Sequence, residues 1–311
     1  MRILRNICII IATFVLVVSF SACKKDGVYN PSKKIAAIYR TMEEEPVYKA
    51  ASKELIATYV WDGKLLSQII EYYADSYTTY TYKYNKQKQL IEVDMESEGL
   101  VRIEYDGKNV NEVSLSIDGE ELLDVEYIRK GNQIIGADVE ISTELIEEFF
   151  MKKHSHAIDN VLSTFLPFQM DKAFTQTMEK YAQHYSTDST GSLKGHIDYE
   201  WSGKNVTKAD FKLSILFYSV QITSIYEYDN KINPFTGGMM TNATVDTDIM
   251  GLFHDWMNVN NVTKSTMAMN IDGEAETETT TCTYEYDNDD YPVKVLTQDA
   301  YGPQEDFYEY K

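Results

Sequence analysis

A short hairpin motif recurs along the chain and constrains its fold more than any other feature. In the copy from Ile103 to Val113, apolar and polar residues alternate, Asp106-Gly107 follows, and a second run returns. Alternation with a period of two is typical of strands with one buried face, and Asp-Gly accepts the positive φ of tight hairpin turns. Spacings of 23, 21 and 22 residues separate the aromatic residues before successive turns, which are Trp61, Tyr84, Tyr105 and Tyr127. The repeat therefore predicts a series of two-strand modules.

Over the whole chain this pattern predicts a mainly β fold. We expect an antiparallel meander of about sixteen strands that forms a curved sheet or partial barrel, with an inserted helical pair. Apolar residues at helical spacing between Leu145 and Tyr185 predict that pair, and those from Ile249 to Met257 predict a short helix. The helical pair provides a partner for the apolar face of the sheet, so the alternation does not require a surface that faces lipid.

The N-terminus carries a targeting signal. Arg2 and Arg5 precede an apolar run of 14 residues from Ile7 to Phe20. This run is shorter than the roughly 20 residues that span a bilayer, and it is typical of a signal-peptide core. The following Ser21-Ala22-Cys23 resembles a bacterial lipoprotein cleavage site. The resemblance implies cleavage before Cys23 and lipidation of its thiol with acyl chains such as palmitate.

These features predict an order of segments and a location. The expected segments are a lipoprotein signal peptide at 1–22, a tether at 23–33, a β-meander at 34–142, a helical pair insertion at 143–188, and a meander at 189–311 that continues the same sheet, with a short helix near 248–257. Lys24-Lys25-Asp26 loosely resembles the export signals of Bacteroidota surface lipoproteins. We therefore expect an outer membrane lipoprotein on the periplasmic or surface-exposed face of the cell envelope.

Charge and cysteine content limit the classes of partner. A formal net charge of -20 repels nucleic acid and anionic headgroups. The predicted partners are the membrane, through the lipid anchor, and a glycan or protein; nucleic acid is excluded. With Cys8 removed and Cys23 lipidated, the mature chain keeps only Cys282 and has no intramolecular disulfide. Cys282 lies in a strand-like run and is expected to be a buried structural thiol.

No motif for catalysis is found in the chain. It has no Gly-x-Ser-x-Gly elbow, phosphate loop, His-Glu-x-x-His or paired-cysteine spacing. The sequence therefore predicts no catalytic residue, no cofactor and no metal site. His156 and Asp159 share a helix face, and residues 287–290 crowd four oxygen-bearing side chains into one turn. The favoured interpretation is that the first group consists of polar residues on a helix surface and that the second stabilises a turn.

Two resemblances extend this interpretation. Tyr226-Glu227-Tyr228-Asp229, Asn233-Pro234-Phe235, residues 260–264 and Tyr284-Glu285-Tyr286-Asp287 with Tyr291-Pro292 resemble a family of unknown function in Bacteroidota lipoproteins. That family is described as having a porin-like fold. The similarity is best over 196–311 and looser over 34–142. Its members have no known activity, so no site residue is carried over. The repeats also resemble the tyrosine-aspartate repeats of large toxin shells.

Three functional hypotheses remain open. The favoured one is a lipid-anchored envelope protein that acts as a non-enzymatic binding or interaction module, with Trp61 and Trp201 placed where their rings can stack on sugars. An alternative is a glycan-directed hydrolase that uses cleft carboxylates. The third is a carrier of lipid or another apolar ligand, which predicts an internal cavity plugged by the helices.

The lipid anchor is directly testable. Replacing Cys23 by Ser removes the acylated thiol, and buried acyl chains contribute about 0.8 kcal/mol per methylene to membrane binding. We expect Cys23→Ser to move the protein from the membrane pellet to the soluble fraction in cell fractionation. Continued sedimentation of this variant with membranes would contradict lipidation at this residue.

Overall fold

The computed structural model confirms the mainly β fold and closes the sheet. It describes residues 26–42, 52–73, 76–142, 161–162, 164–166, 192–215, 218–242, 255–271, 274–300 and 302–311. Sixteen antiparallel strands form a closed barrel, because β1 pairs with β16 as well as with β2. The sequence-based alternatives of a curved sheet or partial barrel are thus resolved in favour of complete closure, which leaves no sheet edge unpaired.

Each strand pairs with its neighbours in the sequence. The strands are β1 (Ile35–Met42), β2 (Ser52–Asp62), β3 (Leu65–Tyr73), β4 (Ser76–Tyr84), β5 (Leu90–Asp94), β6 (Leu100–Asp106), β7 (Asn109–Ile117), β8 (Glu120–Lys130), β9 (Gln133–Ser142), β10 (Ser192–Ser202), β11 (Asn205–Ile215), β12 (Tyr218–Tyr228), β13 (Val262–Ile271), β14 (Glu274–Tyr286), β15 (Pro292–Gln298) and β16 (Pro303–Tyr310). Short 3₁₀ helices lie at Glu96–Glu98 and Asp255–Met257.

The strands bury one face and expose the other. On β6, Val101 and Ile103 are buried, whereas Arg102 and Glu104 are exposed. Buried side chains from β1 to β13 join one apolar cluster, and the half-buried Tyr308 and Tyr310 of β16 pack against it. The other face carries ion pairs, such as the 2.7 Å contact of Lys208 with Asp210. The period of two in the sequence therefore corresponds to an apolar face that turns inward.

A chain segment that belongs to no strand fills part of the barrel. Residues 233–242 and 255–258, here called the lumen segment, contact strands on several sides of the ring. Tyr59 of β2 donates a 2.8 Å hydrogen bond to the carbonyl of Thr241, and Tyr308 of β16 packs on Phe235 with 6.2 Å between ring centroids. Trp256 meets Tyr127 of β8 at 6.0 Å. A segment in contact with strands this far apart around the ring lies inside it.

The predicted helices are only partly covered by the described residues. Residues 161, 162, 164 and 165 are helical, and Val161, Leu162, Phe165 and Leu166 are buried in the same cluster as the strands. The rest of the helical pair lies outside the described residues, as do residues 248–254 of the predicted short helix. In the part of the chain that the structure describes, no helix is long and apolar enough to cross a membrane.

A repeated side-chain hydrogen bond explains the aromatic residue of the sequence motif. In seven of the eight strand pairs from β1/β2 to β15/β16, an aromatic residue near the end of the second strand donates to a backbone carbonyl near the start of the first. We call this contact the aromatic clasp. The donors and acceptors are Trp61 to Ile35, Tyr84 to Leu66, Tyr105 to Leu90, Trp201 to Ile134, Tyr228 to Val206, Tyr284 to Val262, and Tyr310 to Pro292.

The clasps all lie at one end of the barrel. Even-numbered strands end there, and we call it the clasp end. Several clasp residues directly follow a β-bulge in the pairing with the next strand, as Tyr84 and Tyr105 do. A bulge disrupts the ladder locally, and the clasp hydroxyl or indole N–H supplies a donor for a carbonyl at the strand end.

The clasps are expected to contribute to stability in a measurable way. Tyr84→Phe removes a donor 2.8 Å from the Leu66 carbonyl, so we expect a loss of about 1 kcal/mol and a melting temperature lower by about 2–4 °C. Tyr127→Phe is the matched control, because the Tyr127 hydroxyl has no partner among the described residues. Thermal melting followed by circular dichroism should show little change for Tyr127→Phe. Equal losses for the two variants would contradict the clasp.

Candidate ligand-binding cavity at the clasp end

The clasp end contains a cavity of about 450 Å³. Three neighbouring hairpins form its wall, with Lys108 and Asn109 from β6/β7, Arg129 and Gln133 from β8/β9, and Trp201 and Lys204 from β10/β11. Thr236, Gly237 and Trp256 of the lumen segment form its floor. Its volume falls in the range of small-molecule sites, which is about 300–1,000 Å³.

The cavity lies where the clasp series is interrupted. In β7/β8, Arg129 Nε donates to the Val110 carbonyl at 3.1 Å and takes the role that an aromatic residue has elsewhere. Arg129 also follows a β-bulge, like the clasp residues, so it occupies the equivalent position. Tyr127, the aromatic residue that the repeat places before this turn, lies two residues earlier in β8. Local rules of a repeat tend to fail at functional sites, which draws attention to this hairpin.

Two buried donors without partners lie beside this exception. The Tyr127 hydroxyl and the Trp256 indole Nε1 are buried and make no hydrogen bond with the described residues. The two rings meet edge to face, with an interplanar angle of 74°. Trp256 is only 6% exposed, and its indole nitrogen is not accessible from the cavity. Burial raises the pKa of Tyr127, which keeps its hydroxyl protonated at neutral pH. A bound water satisfies such donors.

The lining of the cavity is positive. Lys108, Arg129 and Lys204 face one carboxylate, Asp26, so the described lining has a formal excess of two positive charges. Asp26 pairs with Arg129 and accepts a hydrogen bond from the Val110 amide at 3.1 Å. Lys108 and Lys204 form no ion pair with the described residues. The local charge is therefore opposite to the net charge of -20 of the chain.

A very small second cavity lies deeper in the barrel. It measures about 20 Å³, enough for one water molecule, and Asp255, Asn242 and Tyr308 are among its lining residues. The Asp255 carboxylate accepts a 2.9 Å hydrogen bond from Asn242. Burial raises its pKa to about 7, although part of the residue stays accessible at the cavity.

The polar groups considered in the sequence lie elsewhere. His196 is on the outer face of β10, 2.7 Å from Asp138 and 3.3 Å from Asp198, and the other four histidines lie outside the described residues. Burial raises the pKa of the Cys282 thiol to about 11, as a structural thiol requires. Cys23 lies outside the described residues. Across the described ranges, no group of three His, Cys, Asp or Glu residues is arranged to hold a metal ion.

The acidic turn at 287–290 uses its oxygens within the protein. The Asp287 carboxylate accepts hydrogen bonds from the amides of Asp289 and Tyr291. Lys33 Nζ lies 2.6 Å from Asp287 and 2.5 Å from Asp289. The lysine occupies the space that a cation would take, so ordinary turn chemistry accounts for this cluster.

The sequence pointed to one residue of the cavity lining, Trp201, and did not point to the others. Trp201 was singled out as a ring near a turn, and it lines the cavity, whereas Trp61 packs on Tyr29 at 5.5 Å in another part of the barrel. Arg129 was missed because the repeat was aligned on Tyr127. Aligning the chain on its Gly-containing turns, rather than on its aromatic residues, would have placed Arg129 at the clasp position.

Comparisons with known proteins give only distant similarities. The chain is similar to a porin-like protein from Bacteroides uniformis, with 11% identity, a TM-score of 0.47, and coverage of 93% of this chain and 100% of that one. It is also similar to TcdB2-TccC3, with 11% identity, a TM-score of 0.27, and coverage of 83% and 14%. No family model and no curated protein matches. Nothing about function is transferred at this level, and the family resemblance stays a prediction.

The buried carboxylate predicts a specific pH dependence. A folded-state pKa raised to about 7 means that Asp255 contributes stability below about pH 4, which is lost as the pH rises through 7. The free energy of unfolding of Asp255→Asn, relative to the wild type, should therefore increase by roughly 2–4 kcal/mol when the pH is raised from 5 to 8, at about 1.4 kcal/mol per pKa unit. Thermal melting at both pH values measures this. Asp106→Asn, in an exposed turn, is the control and should show no such difference.

Proposed function

We propose that this protein is a non-enzymatic binding module of the cell envelope whose clasp-end cavity binds a saccharide. The observation that carries the proposal is the combination of a fixed tryptophan ring and amide side chains around one cavity of saccharide-binding size.

Trp201 supplies the apolar surface that such a ligand needs. Its indole N–H donates a 2.6 Å hydrogen bond to the Ile134 carbonyl, which fixes the ring at the cavity wall. The residue is only half-buried, so part of the ring remains available. A sugar ring has a face of C–H groups that packs on an aromatic plane, and a rigid ring loses little conformational entropy when it binds.

The polar groups of the cavity complement the hydroxyls of a sugar. Asn109 and Gln133 each offer an amide that donates and accepts. A ligand with an apolar face and a hydroxylated edge matches this arrangement better than a wholly apolar one.

The competing hypotheses receive less support. A glycoside hydrolase needs two carboxylates across the substrate, and the described lining offers only Asp26, which is engaged by Arg129. A lipid carrier needs an open apolar interior. Here the Tyr59 hydroxyl and the Phe235 ring are among the contacts that hold the lumen segment inside the barrel.

The proposed lipid anchor affects which ligands reach the cavity. The Asp26 amide donates to the Lys108 carbonyl at 3.0 Å, so the chain enters the barrel at the clasp end. Cys23 lies three residues earlier, a reach of at most about 11 Å. An acylated Cys23 would therefore hold the cavity close to the bilayer surface, where saccharides of the envelope are found.

The saccharide function is tested on the mature chain with Cys23 replaced by Ser. We expect a glycan array of neutral and acidic oligosaccharides to yield ligands that calorimetry confirms. Trp201→Ala should weaken their binding by about tenfold or more, because the stacking surface is lost. Trp61→Ala is the matched control, since it also loses a clasp indole but lies away from the cavity.

Two results would contradict the saccharide proposal. One is an array without any bound saccharide, and the other is equal binding by Trp201→Ala and the wild type. If Trp201→Ala does not fold, Gln133→Ala replaces it, because Gln133 is an exposed cavity residue. Retention of full affinity by Gln133→Ala would then count against the cavity as the binding site.

A further inference from the structure

We infer that the ligand of the clasp-end cavity carries an acidic group, a carboxylate or a phosphate on a saccharide, and that Lys108 and Lys204 bind it. This inference rests on the saccharide-binding function proposed above and adds the chemical class of the ligand and the residues that select it.

The two lysines occupy equivalent places in two hairpins. Each follows a turn glycine in the left-handed region, with φ of 63° at Gly107 and 62° at Gly203. The β6/β7 and β10/β11 hairpins flank β8/β9, which carries Arg129. The same turn therefore places one ammonium group on each side of the cavity.

Neither lysine is neutralised by the protein. On the outer wall of the barrel, Lys83 lies 2.5 Å from Glu92, and Lys208 lies 2.7 Å from Asp210. Lys108 and Lys204 have no comparable partner among the described residues, and the nearby Asp26 is held by Arg129. Two unpaired cations that line one cavity favour an anion and disfavour a cation.

The outer surface next to the cavity is negatively charged, whereas the cavity lining is positive. On strands β7 and β8, Glu112 stands directly opposite Glu126. Burial and four neighbouring carboxylates raise the pKa of Asp124 to about 6. This surface repels anions, so an acidic ligand is attracted at short range only where the lysines are. The range of this attraction is limited to about 10 Å at 0.1 M salt.

Two buried donor atoms lie next to the floor of the cavity and are not accessible from it. The Trp256 indole is a donor only, and it is more than nine-tenths buried without an acceptor among the described residues. The Tyr127 hydroxyl beside it also lacks a partner. Lys108 and Lys204, rather than these two donors, therefore contact the acidic group, and charge-assisted hydrogen bonds to carboxylate or phosphate oxygens are the stronger kind.

The test uses a pair of soluble probes that differ only in charge: a uronic acid trisaccharide and its neutral methyl ester. Calorimetry is performed on the mature chain with Cys23 replaced by Ser. We expect the acid to bind about tenfold or more tightly than the ester in 50 mM salt, and this preference to shrink as salt rises.

The double variant Lys108→Gln/Lys204→Gln identifies the residues responsible. It should weaken binding of the acid to the level at which the wild type binds the ester. Lys64→Gln/Lys86→Gln is the control with the same charge change. Lys64 follows the turn glycine Gly63 in a third hairpin and does not line the cavity. This control should keep the preference for the acid.

A second arm distinguishes a free saccharide from a lipid headgroup. Phosphatidylcholine vesicles that contain a sialylated glycolipid should bind the protein more strongly than vesicles with a neutral glycolipid if the acidic sugar is presented on a membrane. Preference for the soluble acid alone assigns a free saccharide. Either outcome supports the inference.

The outcomes that overturn the inference differ from those that overturn the function. Equal affinity for acid and ester, or an unchanged acid affinity in the Lys108→Gln/Lys204→Gln variant, removes the acidic ligand and leaves the saccharide function intact. Absence of binding by every saccharide, neutral or acidic, removes both.

Discussion

The structure depends on one constraint: a barrel of sixteen strands with an apolar lumen has to be filled by its own chain. Barrels of this strand number enclose a water-filled channel when their interior is polar. Here the inward side chains are apolar and the outward ones are charged, so the lumen segment and the helical residues around Phe165 occupy the interior. Burial of these surfaces is the dominant favourable contribution to folding.

Filling the lumen with irregular chain creates a second requirement, because buried carbonyls need donors. Tyrosine meets both needs, since its ring packs in the core and its hydroxyl donates. Tyr29 donates to the Pro234 carbonyl at 2.9 Å, and Tyr82 donates to the carbonyl of Met240. The same chemistry serves the clasps at the barrel end. The tyrosines that make these contacts thus have a structural role before any ligand is considered.

The cavity follows from the one strand pair that departs from this scheme. Arg129 stands in place of an aromatic residue, pairs with Asp26 at the rim and adds a positive charge to the lining. The hairpins on either side keep the regular clasp and so hold the wall in place, as Trp201 does. A fixed wall around an irregular element is a suitable framework for a pre-formed binding site.

The sequence predicted the strands well and the site poorly, for physical reasons. Strand alternation and Asp-Gly turns are local, so sixteen strands could be predicted from them; closure of β1 on β16 joins the two ends of the described chain, and no local pattern reports it. The helical spacing near Phe165 correctly indicated a buried apolar face. The cavity depends on contacts between residues as distant as Tyr127 and Trp256, which only the closed barrel brings together.

Hydrogen exchange of the mature chain, followed by mass spectrometry, tests the central claim that the barrel interior is filled by its own chain. Within the lumen segment, the amide of Gly237 is bonded to the Trp256 carbonyl at 2.7 Å and that of Asn233 to the Val259 carbonyl at 3.1 Å. Peptides that cover 233–242 should therefore exchange as slowly as those from β11 to β13, while the exposed turn at Gly107 exchanges rapidly. Complete exchange of 233–242 within seconds, with the strands still protected, would show that this segment does not fill the barrel in solution.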